Sequence, residues 1–252
     1  MITIKNKASL AKMEKAGSLL QEIFQELTDV VKQGVSTLAL DSHIDKRLKE
    51  KNFVSKMKEY RGYKHVSCIS INDEVVHGVP QENKILQDGD LVKIDVCAAL
   101  DGYCADMARA YFVGKPSAMM LKLVTVADNA LKRGIEQARA GNRLTDISAA
   151  IQDEVEKNGF NVVRDFAGHG IGKQMHEDPE ILNFGKPGMG PLLQPGMTFA
   201  LEPMITQGDY KVYITEDGWT VKTVDKSLAA HVEDTIAITH GEPKILTRSK
   251  GI

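Results

Sequence analysis

At 252 residues, 42% of them hydrophobic and 26% charged, the chain has the profile of an ordinary globular protein with ample core, long enough for one large domain or two small ones. A formal net charge of -2 leaves no global basic field to hold nucleic acid or an anionic membrane, so no specific nucleic acid is expected as a partner. Cys68, Cys97 and Cys104 are odd in number and lack any CxxC spacing, which argues against a zinc ribbon or redox site and for a reducing compartment.

The opening residues MITIKNKASLAKM have no long apolar core, and no run of about eighteen apolar residues follows. Neither export nor a membrane partner is expected, and a cytoplasmic location is. From Ser9 to Gln33, Leu10, Met13, Leu20, Ile23, Phe24, Leu27, Val30 and Val31 recur at helical spacing, with Gly34 as the stop. A second helix starts near Ser36 or Thr37 and carries Leu38, Ile44 and Leu48. The run from His65 to Ile71 then has the β-branched content of a strand, and Asn72-Asp73 supplies turn chemistry before Val75-Val76.

Two further strands, Leu91 to Leu100 and Tyr103 to Val113, flank Asp101-Gly102, a strong hairpin signal. Helical patterns resume after Pro116, through Met119, Leu123, Val126 and Leu131, and again after Thr145 through Ile147, Ile151 and Val155. Strands are predicted at Thr198 to Glu202, Val212 to Thr215 and Val232 to Thr239, with loops at Gly185 to Gly188 and at Pro195-Gly196. Helices followed by antiparallel strands in each half imply an α+β fold, with room for a weak internal duplication. No Pro/Ser-rich linker divides the chain, so residues 1–252 are expected to form one domain.

Asp95 lies in Leu91-Val92-Lys93-Ile94-Asp95-Val96, a strand apolar enough to be buried, where a lone carboxylate is expensive to ionise. If the Asp101-Gly102 turn closes the hairpin tightly, Leu100 faces Tyr103, Cys97 faces Asp106 and Asp95 faces Ala108. Asp95 and Asp106 then share a face as diagonal neighbours, roughly 5–7 Å apart at the β-carbons. Two carboxylates at that range repel unless a cation lies between them. The other register, with one Asp merely solvated, stays open because the turn itself is inferred.

Ala167-Gly168-His169-Gly170-Ile171-Gly172 reads as a glycine-rich loop whose backbone can approach a ligand closely, and His176 follows it. Glu202, between Leu201 and Pro203, and Glu233, in Ala229-Ala230-His231-Val232-Glu233, are again acids where a core pattern expects hydrocarbon. Each of these singly fits a turn histidine or an edge-strand acid. Together, the acids and His169 make an oxygen-rich donor set with one imidazole, suited to metals of the manganese, iron, cobalt and zinc group.

With those residues assembled, the sequence resembles the methionine aminopeptidases, whose ligands run Asp, Asp, His, Glu, Glu along the chain, as do Asp95, Asp106, His169, Glu202 and Glu233. The resemblance extends through Val76-His77-Gly78-Val79-Pro80, Gly168 to Gly172, Gln194 to Pro203 and Asp217-Gly218-Trp219-Thr220, and covers essentially the whole chain. With no insert between His169 and Glu202 and no N-terminal cysteine/histidine extension, the chain looks like the bacterial type I form.

The resemblance implies a pita-bread fold, a pseudo-twofold antiparallel sheet covered by helices. It also implies two divalent ions per chain, cobalt, manganese, iron, zinc or nickel, with Asp106 and Glu233 bridging them. Glu202 doubles as the proton carrier, His176 donates to the scissile carbonyl oxygen, and His77 contacts the substrate backbone and helps protonate the leaving nitrogen. Tyr60, Tyr63, Cys68, Met175 and Trp219 are the implied methionine pocket, with Trp219 expected at its rim. His43, His65, His231 and His240 receive no role.

The implied substrates are the N-termini of nascent polypeptides, cut by a monomer, with a ribosome contact left open. Crowding by Gly168, Gly170 and Gly172 is expected to favour a small second residue. Departures from the pattern are Cys97, where many relatives carry threonine, and Cys104 and Met107 on either side of Asp106, all of which bear on metal affinity and rate. Competing readings are a proline-specific peptidase of the same fold and a metal-free peptide- or ribosome-binding module.

Overall fold

The computed structural model describes residues 1–248; residues 249–252, the end of the expected 1–252 domain, lie outside the described residues. Helix α1, Lys7–Val30, starts ahead of the predicted Ser9 because the Asn6 side chain accepts from Ser9 N at 2.9 Å and caps it. It ends before the predicted Gln33, and Gly34 takes a left-handed φ of 86° in the turn beyond. Helix α2, Thr37–Glu50, is capped by Ser36, whose side chain accepts from Ala39 N. Helix α3, Ala118–Gln137, is capped by Ser117. Helix α4, Leu144–Lys157, begins one residue before Thr145, with the Asp146 carboxylate accepting from Arg143 N at 2.7 Å.

The first half contributes strands β1, Val54–Ser55, β2, Cys68–Ile71, β3, Leu91–Leu100, and β4, Tyr103–Phe112. After the second helix pair come β5, Asn161–Val162, β6, Ala167–Gly170, β7, Glu177–Leu182, and β8, Thr198–Leu201. The chain continues through β9, Met204–Thr206, β10, Val212–Ile214, β11, Val221–Thr223, and β12, Ala229–His231. It closes with β13, Glu233–Ala237, and β14, Lys244–Ile245.

The main sheet runs β1-β3-β4-β13-β8-β6-β7, with β2 also on β3 and β14 on β13. Its seam is the pairing of β4 with β13, where the two halves of the chain meet. On one side of the seam α1 and α2 cover the sheet, packing Leu20, Ile23 and Leu40 against Ile94, Val96 and Met107. On the other side α3 and α4 pack Leu123, Leu131 and Ile151 against Phe199, Leu201 and Ile236. The α+β expectation holds, with a helix pair on each half of one antiparallel sheet.

Two readings change. The strand predicted from His65 begins only at Cys68, because Val66 N and Ser67 N both donate to the buried Asp41 carboxylate at 3.0 Å instead of to a neighbouring strand. The glycine-rich segment is not a loop: Ala167–Gly170 is a strand held between β7 and β8.

Its glycines are needed for that packing. A β-carbon on Gly168 would lie 2.5 Å from the Ala200 carbonyl oxygen, and one on Gly170 would overlap the Asp178 carbonyl. Overpacking of this kind typically costs about 1–3 kcal/mol. Gly170→Ala is therefore expected to lower the melting temperature by about 5–10 °C in a chain of this size, measured by calorimetry. An unchanged melting temperature would mean that the strand can part from β7 without loss.

Candidate metal centre and active site

The hairpin has the tight register: Leu100 pairs Tyr103, Cys97 pairs Asp106 and Asp95 pairs Ala108. Asp101 and Gly102 both have positive φ, 51° and 80°, as a two-residue turn with the right twist requires. Directly paired residues share a face, as do residues two apart on one strand. Asp95, Asp106 and Ala108 are therefore on one face of β3 and β4.

Glu233 pairs Ala108 across the seam, so it joins that face. Thr235 and His169 both pair Ala200, which extends the face through β13 and β8 to β6. Glu202 immediately follows β8, two residues beyond Ala200, and lies on the same side. The five residues read as ligands thus come from five neighbouring segments, and the alanines at 108 and 200 leave room between them.

His169 Nε2 lies 3.8 Å from Asp106 Oδ2 and 3.5 Å from Glu202 Oε1. Asp106, His169 and Glu233 each offer a ligand atom within 4.8 Å of the others. The imidazole is in the form that a metal ion needs. His169 Nδ1 is 2.9 Å from the Gly170 carbonyl oxygen, which must accept, so the proton sits on Nδ1 and the Nε2 lone pair faces the carboxylates. Asp106 Oδ1 and Glu233 Oε1 are buried with no hydrogen-bond partner. A lone pair and two orphaned carboxylate oxygens pointed together repel one another, and a divalent cation removes that repulsion.

The electrostatics agree. Burial pushes Asp106 up to about 6, against the Cys97 thiol and the Met107 backbone, whose hydrogen bonds lower it. Burial first, and neighbouring acids second, hold Asp95, Glu202 and Glu233 well above the usual carboxylate range. Burial lowers His169 to about 4, so its ring is neutral and free to ligate.

These groups form the floor of a pocket of about 220 Å³. Tyr63, Cys68, Met175 and Trp219 supply its apolar wall, with the Tyr63 and Trp219 rings 4.9 Å apart. Trp219 is half-buried, and Asp217 accepts from its backbone N–H at 2.8 Å to form the turn that presents it. Tyr60 also lines the pocket, and its hydroxyl is 3.2 Å from His176 Nδ1. The His176 ring stands edge-on to His169 at 4.4 Å.

His77 enters from the turn after β2 with a left-handed φ of 58°, and Phe166 stacks edge-on to it at 5.4 Å. Burial lowers it to about 4. All the residues read from the sequence as site candidates line this one pocket.

Sequence reasoning missed three residues here. Met57 and Arg61 line the pocket, from a short turn segment with no patterned signal. His231, given no role, is 2% exposed with Nε2 3.7 Å from Glu202 Oε2. Its place two residues before Glu233, on an alternating strand, was the available signal. The expected glycine crowding of substrate is also revised: Gly168 and Gly170 press on their own sheet, and Gly172 on Glu177 and Lys5.

A chain with this sheet and this donor set is built as a metal-dependent hydrolase, and comparison places it. It matches Metallopeptidase family M24 over residues 11–240 and belongs to that family. A methionine aminopeptidase of Clostridium acetobutylicum is 45% identical over 247 residues, covering 98% of this chain and 99% of the relative. The crystal structure of methionine aminopeptidase from Rickettsia prowazekii superposes with a TM-score of 0.97 at 41% identity, covering 98% of this chain and all of that one. The fold is the pita-bread fold of these enzymes. Prolidase from Pyrococcus furiosus shares the fold at a TM-score of 0.77 and 23% identity, with 98% of this chain matching 66% of its own.

The raised acids set a direction for stability. Asp106 binds its proton more tightly folded, near 6, than unfolded, near 3.8, so its contribution is present below about pH 4 and lost as pH rises through 6. Metal-depleted protein is expected to lose melting temperature over that window relative to Asp106→Asn. Added manganese or zinc should reverse the slope, because ligation favours the ionised acids. Parallel melting curves for the two proteins would refute the assignment of Asp106.

Proposed function

We propose that the chain is a methionine aminopeptidase, which hydrolyses the peptide bond after the N-terminal methionine of nascent proteins and peptides. The observation that carries this is a soft apolar wall, Tyr63, Cys68, Met175 and Trp219, ending directly on the donor floor of Asp95, Asp106, His169, Glu202 and Glu233. Aromatic rings and sulfur suit an unbranched thioether. The names of the relatives support the same reading.

The five donors would hold two divalent ions, cobalt, manganese, iron, zinc or nickel according to availability, with Asp106 and Glu233 shared between them. When bound, such ions lower the pKa of water and polarise a carbonyl. Glu202 takes the proton from the attacking water and passes it towards the leaving amine. His176, steadied by the Tyr60 hydroxyl, donates to the carbonyl oxygen as charge develops there. His77, kept neutral by burial, contacts the substrate backbone and relays a proton to the leaving nitrogen. Cys97, paired with Asp106, supplies a weaker hydrogen bond than a hydroxyl would, which loosens the support of that acid.

Among the described residues no helix is long and apolar enough to cross a membrane. We place the enzyme in the cytoplasm, acting as a one-domain monomer on emerging chains. Docking on the ribosome is a separate matter for a sedimentation assay.

Glu202→Gln is expected to keep much of the metal binding, measured by calorimetry, and to lose at least a hundredfold in kcat, because the amide cannot carry a proton. Near-wild-type turnover would take Glu202 out of the proton path. On Met-Ala, Met-Val and Met-Arg peptides, kcat/KM is expected to fall in that order, by a hundredfold or more for Arg, because a pocket of about 220 Å³ leaves little room beyond the methionine side chain. Equal rates would remove the preference for a small second residue. Release of the residue before proline, with none from Met-Ala, would replace the proposal by a proline-specific peptidase.

A further inference from the structure

Glu202 carries the proton in the mechanism above, and two imidazoles flank it. His169 Nε2 lies 3.5 Å from Oε1 on one side, and His231 Nε2 lies 3.7 Å from Oε2 on the other. His169 is accounted for as a ligand. His231 is not: its ring is 2% exposed, and Nε2 is enclosed without a hydrogen-bond partner. A buried polar atom left in that state is costly and calls for an explanation.

The backbone holds the two side chains together. His231 ends β12 and pairs Met204 of β9, and Met204 follows Glu202 by two residues, so the ladder sets the spacing of ring and carboxylate. Glu233 follows His231 by two residues, so one extended stretch delivers both to the same side. Against the ionised carboxylate that a bound metal requires, an Nε2 lone pair facing Oε2 would be repelled, whereas an Nε2–H is attracted. The gap exceeds a normal hydrogen bond by under about 1 Å, and catalytic contacts of this kind tighten when substrate binds.

We propose that His231 is a positioning residue whose Nε2–H donates to Oε2 of Glu202. The contact fixes the rotamer of that carboxylate and leaves Oε1 turned towards His169 and the reacting water. Without it the carboxylate turns freely between the pocket and the sheet. The proposal rests on the role given to Glu202, so its test includes readouts that do not depend on peptide cleavage.

In the zinc-loaded protein, a long-range proton–nitrogen NMR spectrum of labelled histidines should show the His231 proton on Nε2, shifting when Glu202→Gln is introduced. A proton on Nδ1 overturns the proposal without any variant of His231. His231→Leu should lose ten- to a hundredfold in kcat on a Met-Ala peptide with KM held within about twofold, and weaken zinc, read by chelator competition, by a similar factor. His231→Gln, which restores a donor, should return both to within about threefold of wild type; equal losses in Leu and Gln, or none in either, overturn it. If Leu fails to fold, His231→Met replaces it. Wild-type protein inactive on every methionine peptide defeats the proposed function alone, since the spectrum and the zinc affinities still decide the place of His231.

Discussion

Burial of four carboxyl groups and an imidazole lone pair on one face of a sheet is the constraint around which the rest of the molecule is arranged. Such a cluster is costly to dry protein unless a cation sits among it, and it cannot contribute to the core. Most of the drive for folding therefore comes from the opposite face. There α1 and α2 seal β3 and β4, while α3 and α4 seal β8 and β13, each with an aliphatic cluster of its own.

The seam between the halves carries the same division of labour. On the site face, Asp106 and Glu233 approach each other across β4 and β13. On the helix face, Arg109 Nη2 donates to Asp234 Oδ1 at 2.5 Å, and Arg248 Nη2 donates to Asp234 Oδ2 at 2.7 Å. Thr235 adds a second tie, accepting from Asp106 N at 2.9 Å and donating to Asp106 O at 2.8 Å. A seam fastened in this way keeps the two acids in place despite their mutual repulsion.

Much of this was legible in the sequence, for local reasons. Asp101-Gly102 allows one tight turn, and that turn alone fixes Asp95 opposite Ala108 and Cys97 opposite Asp106. Helix starts were legible where Ser36 caps α2, and less so at α4, where Arg143 holds the cap position. What was not legible depends on partners distant in the chain. His65 to Ser67 has strand composition, but Asp41, contributed by α2, captures its donors. Ala167–Gly170 hides its alternation because glycines have no side chain to show which face is buried, and His231 acquires a neighbour only once β12 pairs β9.

The glycines beside His169 also set the state of its ring. Close contact of β6 with the Ala200 and Asp178 carbonyls is possible only without β-carbons at 168 and 170, and the register of β6 against β7 shifts between His169 and Gly170. A bulge of this kind re-aims the residue beside it. Here the Gly170 carbonyl comes within 2.9 Å of His169 Nδ1, which fixes the tautomer and leaves Nε2 as the lone pair facing Asp106 and Glu202. Histidine at a regular strand position would share its face with the acids but would have no carbonyl of its own strand to hold its proton. The glycine run therefore serves the chemistry by irregular pairing of the sheet.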